Sequence, residues 1–259
     1  MSVAVTPFVT LHAWRLPRRA APHALFRIAV DRRRLRATPG VRFAKLLGTG
    51  SGDSFGPADA DPTRYAALVV WSDAEAAAGF AATPVARAWS RLATAEVRID
   101  LRPLASRGRW SGVEPFGTPK DTAARPDRAG LPAPPASAAR AAEGAVLALT
   151  RARLRPRKAF TFWRAVPPVA AAVAGAPGVL ARFGIGEAPI GLQGTVSVWR
   201  STADLVEFAY RHPEHRAAIL RTPTEGWYAE DLFARFAVLD VMGDRRVVGW
   251  SDGGERGRA

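Results

Sequence analysis

Four histidines occur in the 259 residues, at positions 12, 23, 212 and 215, and the last two sit in the segment best suited to chemistry. In His212-Pro213-Glu214-His215 the proline marks a helix start. His212 then takes the N-cap position and His215 the third helical position, sharing a face with Ala218, Ile219 and Thr222 at helical spacing. A lone imidazole on an apolar helix face serves either as a satisfied core group or as an axial ligand to haem iron in an apolar pocket. A non-haem metal would need a third ligand; Glu214 or Glu225 is at hand, without diagnostic spacing. Downstream runs Glu225-Gly226-Trp227-Tyr228-Ala229-Glu230-Asp231-Leu232-Phe233-Ala234-Arg235-Phe236. Trp227, Tyr228 and Phe233 on one strand either fill a core or line a long apolar cavity. Phe160 and Trp163, on an earlier helix, are expected to close the same pocket. Arg182 or Arg235 is expected to pair with a haem propionate.

Other chemistries lack their residues. With no cysteine there is no disulfide, thiolate metal site, iron–sulfur cluster or thiol nucleophile. The Gly48-Thr49-Gly50-Ser51-Gly52 stretch lacks the Gly-Lys-Ser/Thr ending of a phosphate loop, and a strand rather than a helix follows it. No Gly-x-Ser-x-Gly elbow or Ser-His-Asp order is present. His12 lies in an alternating strand and His23 just before a helix, neither with a partner at catalytic spacing.

The elements that must position these residues come in two similar sets. Ala66-Ala67-Leu68-Val69-Val70-Trp71 returns as Gly194-Thr195-Val196-Ser197-Val198-Trp199, and Phe80-Ala81 returns as Phe208-Ala209 at the same offset. Leu46-Leu47-Gly48-Thr49-Gly50 returns as Arg182-Phe183-Gly184-Ile185-Gly186. A unit of about 110 residues is too long for a solenoid and fits a duplicated small domain. Each set reads β-α-β-β-α-β, the ferredoxin-like unit. In the first, strands are expected over 9–14, 41–47, 65–71 and 96–102. Helices are expected over 23–36, with Leu25, Ile28, Ala29 and Leu35 inward, from a Ser72-x-x-Glu75 capping box, and from Thr83-Pro84. In the second, strands are expected over 145–152, 179–183, 194–199 and 232–241. Helices are expected over 158–173, interrupted near Pro167-Pro168, and from Ser201 and Pro213. The fold class is therefore α+β: two tandem ferredoxin-like repeats packed as an internal pseudo-dimer, of the dimeric α/β-barrel type. The repeats span 1–116 and 143–250, with a Pro/Ala-rich linker at 117–142 and a disordered tail at 251–259. The first set has Ala86 or Arg87 at the place equivalent to His215, so this histidine belongs to the second set alone, where the chemistry is expected.

The net charge is +14, almost all from arginine, since the lysines are Lys45, Lys120 and Lys158. Such a charge fits an anionic partner, but arginine in an Ala-, Gly- and Pro-rich chain also simply solvates a surface. No aromatic-interleaved nucleic-acid motif accompanies it, so no specific nucleic acid is expected. Nothing in residues 1–7 reads as a secretory signal, and no apolar run reaches a membrane span. The expected location is cytoplasmic, at most peripheral on the inner face of the cell membrane.

Several motifs, taken in order, resemble the spheroidene monooxygenase family, the acyclic-carotenoid ketolases. They are Phe43-Ala44-Lys45-Leu46-Leu47-Gly48-Thr49-Gly50, Trp71-Ser72-Asp73, Trp110-x-Gly112-x-Glu114-Pro115-Phe116, Leu149-Thr150-Arg151-Ala152, Phe183-Gly184-Ile185-Gly186-Glu187 and the 226–236 segment. The resemblance runs from about residue 9 to 242 and is interrupted by the linker. It implies an oxygen-dependent monooxygenase that places an oxo group at carbon 2 of an acyclic carotenoid. It also implies haem as cofactor, O2 as co-substrate and reduced ferredoxin as electron donor. In the family a histidine stands twelve residues before the tryptophan of the Gly-Trp-aromatic motif, which here is His215 before Trp227. A haem-free or different-substrate monooxygenase on the same fold is the alternative, and a non-enzymatic haem- or lipid-binding protein a third reading.

Overall fold

Period-two alternation gives each strand two distinct faces. In β1 (Phe8–Arg15), Val9, Leu11 and Ala13 face one hydrophobic cluster while Trp14 faces another. The computed structural model describes residues 7–53, 59–117, 144–187 and 192–252. After β1 come α1 (Ala21–Arg36), β2 (Val41–Gly50), β3 (Ala60–Trp71), α2 (Ala74–Ala78), α3 (Pro84–Leu92) and β4 (Ala95–Gly108). Then follow β5 (Val146–Leu154), α4 (Ala159–Gly175), β6 (Val179–Gly186), β7 (Leu192–Trp199), α5 (Thr202–Arg211), α6 (Pro213–Glu225) and β8 (Tyr228–Gly243). The expected linker, apart from Gly117, and the tail beyond Asp252 lie outside the described residues.

The eight strands form one antiparallel sheet that closes on itself in the order β1-β3-β2-β6-β7-β5-β8-β4. Inward side chains from all eight strands make one core, with Leu68, Ile99, Phe183 and Phe236 among them. Trp110, Phe116 and Trp250 pack into the same core from outside the strands. Two seams join the chain's halves. The long one pairs β4 with β8. The short one pairs Gly48, Thr49 and Gly50 with Gly186, Ile185 and Gly184, so the two Gly-x-Gly stretches meet each other. Glycine is needed at Gly50, where a Cβ would stand 2.5 Å from the Asp59 carbonyl oxygen, and a Cβ on Gly184 would be tight at 3.3 Å from the Gly52 backbone.

Local chemistry sets the helix starts. Thr83 caps α3 by accepting from the Ala86 N–H, and Ser201 caps α5 by accepting from Asp204 N–H. Four expectations need correction. The cap of α2 is Asp73, not Ser72, because its carboxylate accepts from Ala76 N–H at 2.8 Å. Leu25 and Ala29 face solvent; Ala24, Asp31 and Leu35 are the buried residues of α1, and the buried Asp31 is compensated by Arg27 and Arg34. Strand β2 runs through Gly48-Thr49-Gly50, because the pairing with β6 recruits that stretch into the sheet. Helix α4 runs through Pro167-Pro168 without a break. Tertiary burial of Val166 and Ala170 on either side offsets the lost backbone hydrogen bonds.

Candidate functional site

The outer faces of the two halves are filled differently. Outside the first half, Trp14, Leu46, Tyr65, Trp71 and Trp89 pack under α1 and α3 into a closed cluster. Outside the second, the cluster is small: Val146, Ala176, Val179, Trp199, Leu205 and Phe208. Strand register explains the difference. Phe8 lies opposite Trp71, and Val146 lies opposite Trp199. Counting forward from those residues, Trp14 in β1 corresponds to Ala152 in β5. By the pairings with β3 and β7, Leu46 corresponds to Gly184. Small residues where the first half has large ones leave a cavity of about 630 Å³ between β5, β7, β8 and helices α4 to α6. That volume suits a site that takes up a bulky apolar group.

The cavity wall is apolar, with a few charges. From α4, Phe162, Val166, Val169 and Val173 form one stripe at spacings of four, three and four. Trp227, Tyr228 and Phe233 border the cavity, as do Arg182 and Arg235. Arg182 also pairs with Asp53 at 2.6 Å. Arg107 lies 4.2 Å over the Phe233 ring, and Asp231 is the carboxylate among the bordering residues. Burial pushes the Tyr228 phenol up to about 12, against a hydrogen bond with Thr222, so it stays protonated.

His215 borders this cavity from the first turn of α6. Its Nδ1 lies 2.8 Å from the Ala209 carbonyl of α5. A carbonyl only accepts, so Nδ1 carries the proton and Nε2 the lone pair. Burial lowers the imidazole's pKa and outweighs the Ala209 hydrogen bond, which raises it, so the ring stays neutral. Phe208 holds the ring at 5.0 Å between centroids. A neutral imidazole whose second nitrogen donates to a backbone carbonyl is the arrangement that orients histidine metal ligands. The chemistry of this donor set, with aromatic walls and the bordering arginines Arg107, Arg182 and Arg235, fits haem. His212 is the backbone N-cap of α6, without a side-chain capping bond. Among the described residues no three His, Asp or Glu side chains gather as a metal set, so Glu214 and Glu225 complete none around His215.

Two expected pocket residues are elsewhere. Phe160 precedes Phe162 by two positions, about 200° around the helix, and is 67% exposed against Arg164. Trp163, about 100° from the Phe162 stripe, does not border the cavity. Phe162 takes the role expected of them, and the four-three-four spacing was the signal that identifies it. The side chains of Ala218 and Ile219 lie outside the described residues.

The other motif residues assemble a second feature. Glu187 accepts from Lys45 at 2.5 Å and from Trp110 Nε1 at 2.6 Å, and it pairs with Arg151 at 3.1 Å. Arg151, 3% exposed, also binds Glu230, which accepts from the Ser111 and Gly112 N–H groups. Burial raises the Glu187 carboxyl's pKa, but the hydrogen bonds from Lys45 and Trp110 and the charges of Lys45 and Arg151 outweigh it, holding the pKa low. None of these residues borders the cavity. The cluster ties β2, β5, the start of β8 and the Trp110 turn together.

No protein-family model matches the chain. It is 35% identical to a spheroidene monooxygenase of Rhodobacter capsulatus over 225 residues, 86% of each chain. It is 31% identical to a spheroidene monooxygenase of Cereibacter sphaeroides, covering 79% of this chain and 58% of that one. It is 34% identical to that of Rubrivivax gelatinosus, covering 79% and 72%. In fold it is similar to an aldoxime dehydratase crystallised with butyraldoxime, with TM-score 0.57 and 11% identity over 96% of this chain and 86% of that one. A second aldoxime dehydratase structure gives TM-score 0.55, over 96% of this chain and 88% of that one.

Proposed function

The chain belongs to the spheroidene monooxygenase family and is an oxygen-dependent oxidoreductase, and we propose that it oxidises carbon 2 of an acyclic carotenoid, first to the hydroxyl and then to the ketone. The observation that carries the reading is His215, a neutral imidazole bordering a 630 Å³ apolar cavity with its Nδ1 proton committed to Ala209. His215 would hold haem through its free ring nitrogen, and Arg182 and Arg235 would pair with its carboxylates. Haem, when bound, supplies the activation of dioxygen, with two electrons from reduced ferredoxin for each oxygen atom inserted.

The chain's own residues do the rest. Phe162, Val166 and Phe233 offer an apolar wall to the end of a linear hydrocarbon and exclude water from it. Trp227, 2% exposed, closes the α4 side, its indole N–H donating to Thr161 at 3.2 Å. Tyr228, hydrogen-bonded with Thr222, stays protonated at the border of the cavity. We read residues 1–116 and 143–250 as tandem ferredoxin-like repeats forming an internal pseudo-dimer. The strand orders β4-β1-β3-β2 and β8-β5-β7-β6 and the facing Gly-x-Gly stretches support this. No helix among the described residues is long and apolar enough to cross a membrane. The excess of arginine favours peripheral contact with anionic lipid.

The test is turnover. Haem-loaded protein, a linear carotenoid, reduced ferredoxin and isotopically labelled dioxygen should yield a hydroxylated product carrying the label, and then the 2-ketone. Unchanged carotenoid, or a product whose oxygen comes from water, would overturn the proposal.

A further inference from the structure

We propose that the rim of the cavity is a docking surface for an anionic lipid bilayer, from which an apolar substrate passes directly into the site. Leu220 of α6 borders the cavity and is also exposed, so it stands at the mouth. Phe160, at the start of α4, does not border the cavity but is exposed one residue from Thr161, to which the cavity-bordering Trp227 is hydrogen-bonded. The two are tied through Trp227, which donates to Thr161, beside Phe160, and lies 5.6 Å under Arg221, beside Leu220. Two large apolar side chains held in water beside an apolar cavity are unsatisfied there and match the interior of a membrane interface.

The charge around them is mostly positive. Arg155, whose N–H bonds to the Trp227 carbonyl, and Arg157 and Lys158 in the turn before α4 lie beside Phe160. Arg164 stands 5.7 Å over the Phe160 ring. Among the described residues none of these four cations is in an ion pair. The nearby carboxylate of Glu225 is matched by Arg221 at 3.5 Å. Unpaired cations around exposed apolar groups complement anionic headgroups above hydrocarbon. Leu25 and Phe26 on the basic helix α1 are similarly exposed, but they belong to the other half of the chain and have no tie to a cavity-bordering residue like that of Thr161 to Trp227. They therefore make the control.

The identity of what enters rests on the carotenoid reading, whereas vesicle binding can be measured without haem or turnover. Full-length protein should float with vesicles of phosphatidylcholine plus phosphatidylglycerol and poorly with phosphatidylcholine alone. Arg157→Glu/Lys158→Glu and, separately, Phe160→Ser should each weaken binding about tenfold or more, and Leu25→Ser/Phe26→Ser should leave it unchanged. The rim variants should keep wild-type turnover on detergent-dispersed carotenoid and lose it on vesicle-embedded carotenoid. Binding that ignores lipid charge, that survives the rim changes, or that is lost in the α1 variant would overturn the proposal. Rim-dependent binding without any oxidised product would leave this surface standing and remove the carotenoid reading instead.

Discussion

The Nδ1 of His215 donates to the carbonyl of Ala209 across the junction of α5 and α6, at 2.8 Å. One hydrogen bond thus sets the tautomer and the orientation of the imidazole that borders the cavity, and Phe208 packs against its ring. The cavity exists because the neighbouring strand carries Ala152 where β1 carries Trp14.

That relation predicts the effect of refilling the space. Ala152→Trp should leave the fold intact, at a cost of about 1–3 kcal/mol for overpacking. It should lower carotenoid oxidation at least about tenfold, because the indole occupies the volume that excludes water around substrate. Thermal unfolding and product formation, measured side by side, check both parts; a variant that turns over like the wild type would show that substrate does not use this cavity.

Glu187 should matter to stability out of proportion to its distance from the cavity. Glu187→Ala leaves the buried Arg151 with one carboxylate and Lys45 without its 2.5 Å partner. A loss of about 3–5 kcal/mol is expected for breaking such a buried pair. Glu114→Ala, which removes an exposed pair with Arg109 at 3.9 Å, should cost about 0–1 kcal/mol. Denaturant unfolding of the two variants distinguishes a buried tie from a surface one.

Acid should destabilise the protein in two stages with different origins. Burial, then the Arg98 charge, pushes the His12 imidazole down to about 3 from its usual 6.5. A group with a depressed folded pKa adds protons more readily when unfolded. The penalty is therefore absent above pH 6.5 and grows as pH falls toward 3, by about 1.4 kcal/mol per pH unit. His215, also depressed by burial, adds to this stage. Glu187 enters only below its usual 4.5, where protonation removes stability that is fully present above that value. The slope of unfolding free energy between pH 6.5 and 4.5 should flatten in His12→Thr and be unaffected by Glu187→Gln; equal slopes in wild type and His12→Thr would contradict the assignment.

Much of this architecture could be read in advance, for identifiable reasons. Strand alternation such as Val9-Thr10-Leu11-His12-Ala13-Trp14 and caps such as Thr83-Pro84 are local signals, and the structure follows them. The helix positions of His212 and His215 followed from Pro213 alone. What sequence reading missed depends on distant partners. The Gly48 stretch looks like a turn until Gly184-Ile185-Gly186 is laid beside it. Pro167-Pro168 looks like a break until the packing of Val166 and Ala170 is known. Aromatic content alone does not separate Phe160 from Phe162; the helical phase that puts Phe162 with Val166, Val169 and Val173 does. The Lys45, Trp110, Arg151, Glu187 and Glu230 cluster joins residues separated by up to 185 positions, and no short-range pattern announces it.

The most direct test of the account is the visible spectrum of the purified chain loaded with haem, beside that of His215→Ala. The wild type should show a Soret band with bound haem at one equivalent per chain. The variant should fold, at a cost of about 1–3 kcal/mol for the lost Ala209 hydrogen bond and Phe208 contact, yet bind no haem in that mode. A folded His215→Ala protein with an unchanged Soret band, or a wild type that takes up no haem, would contradict it.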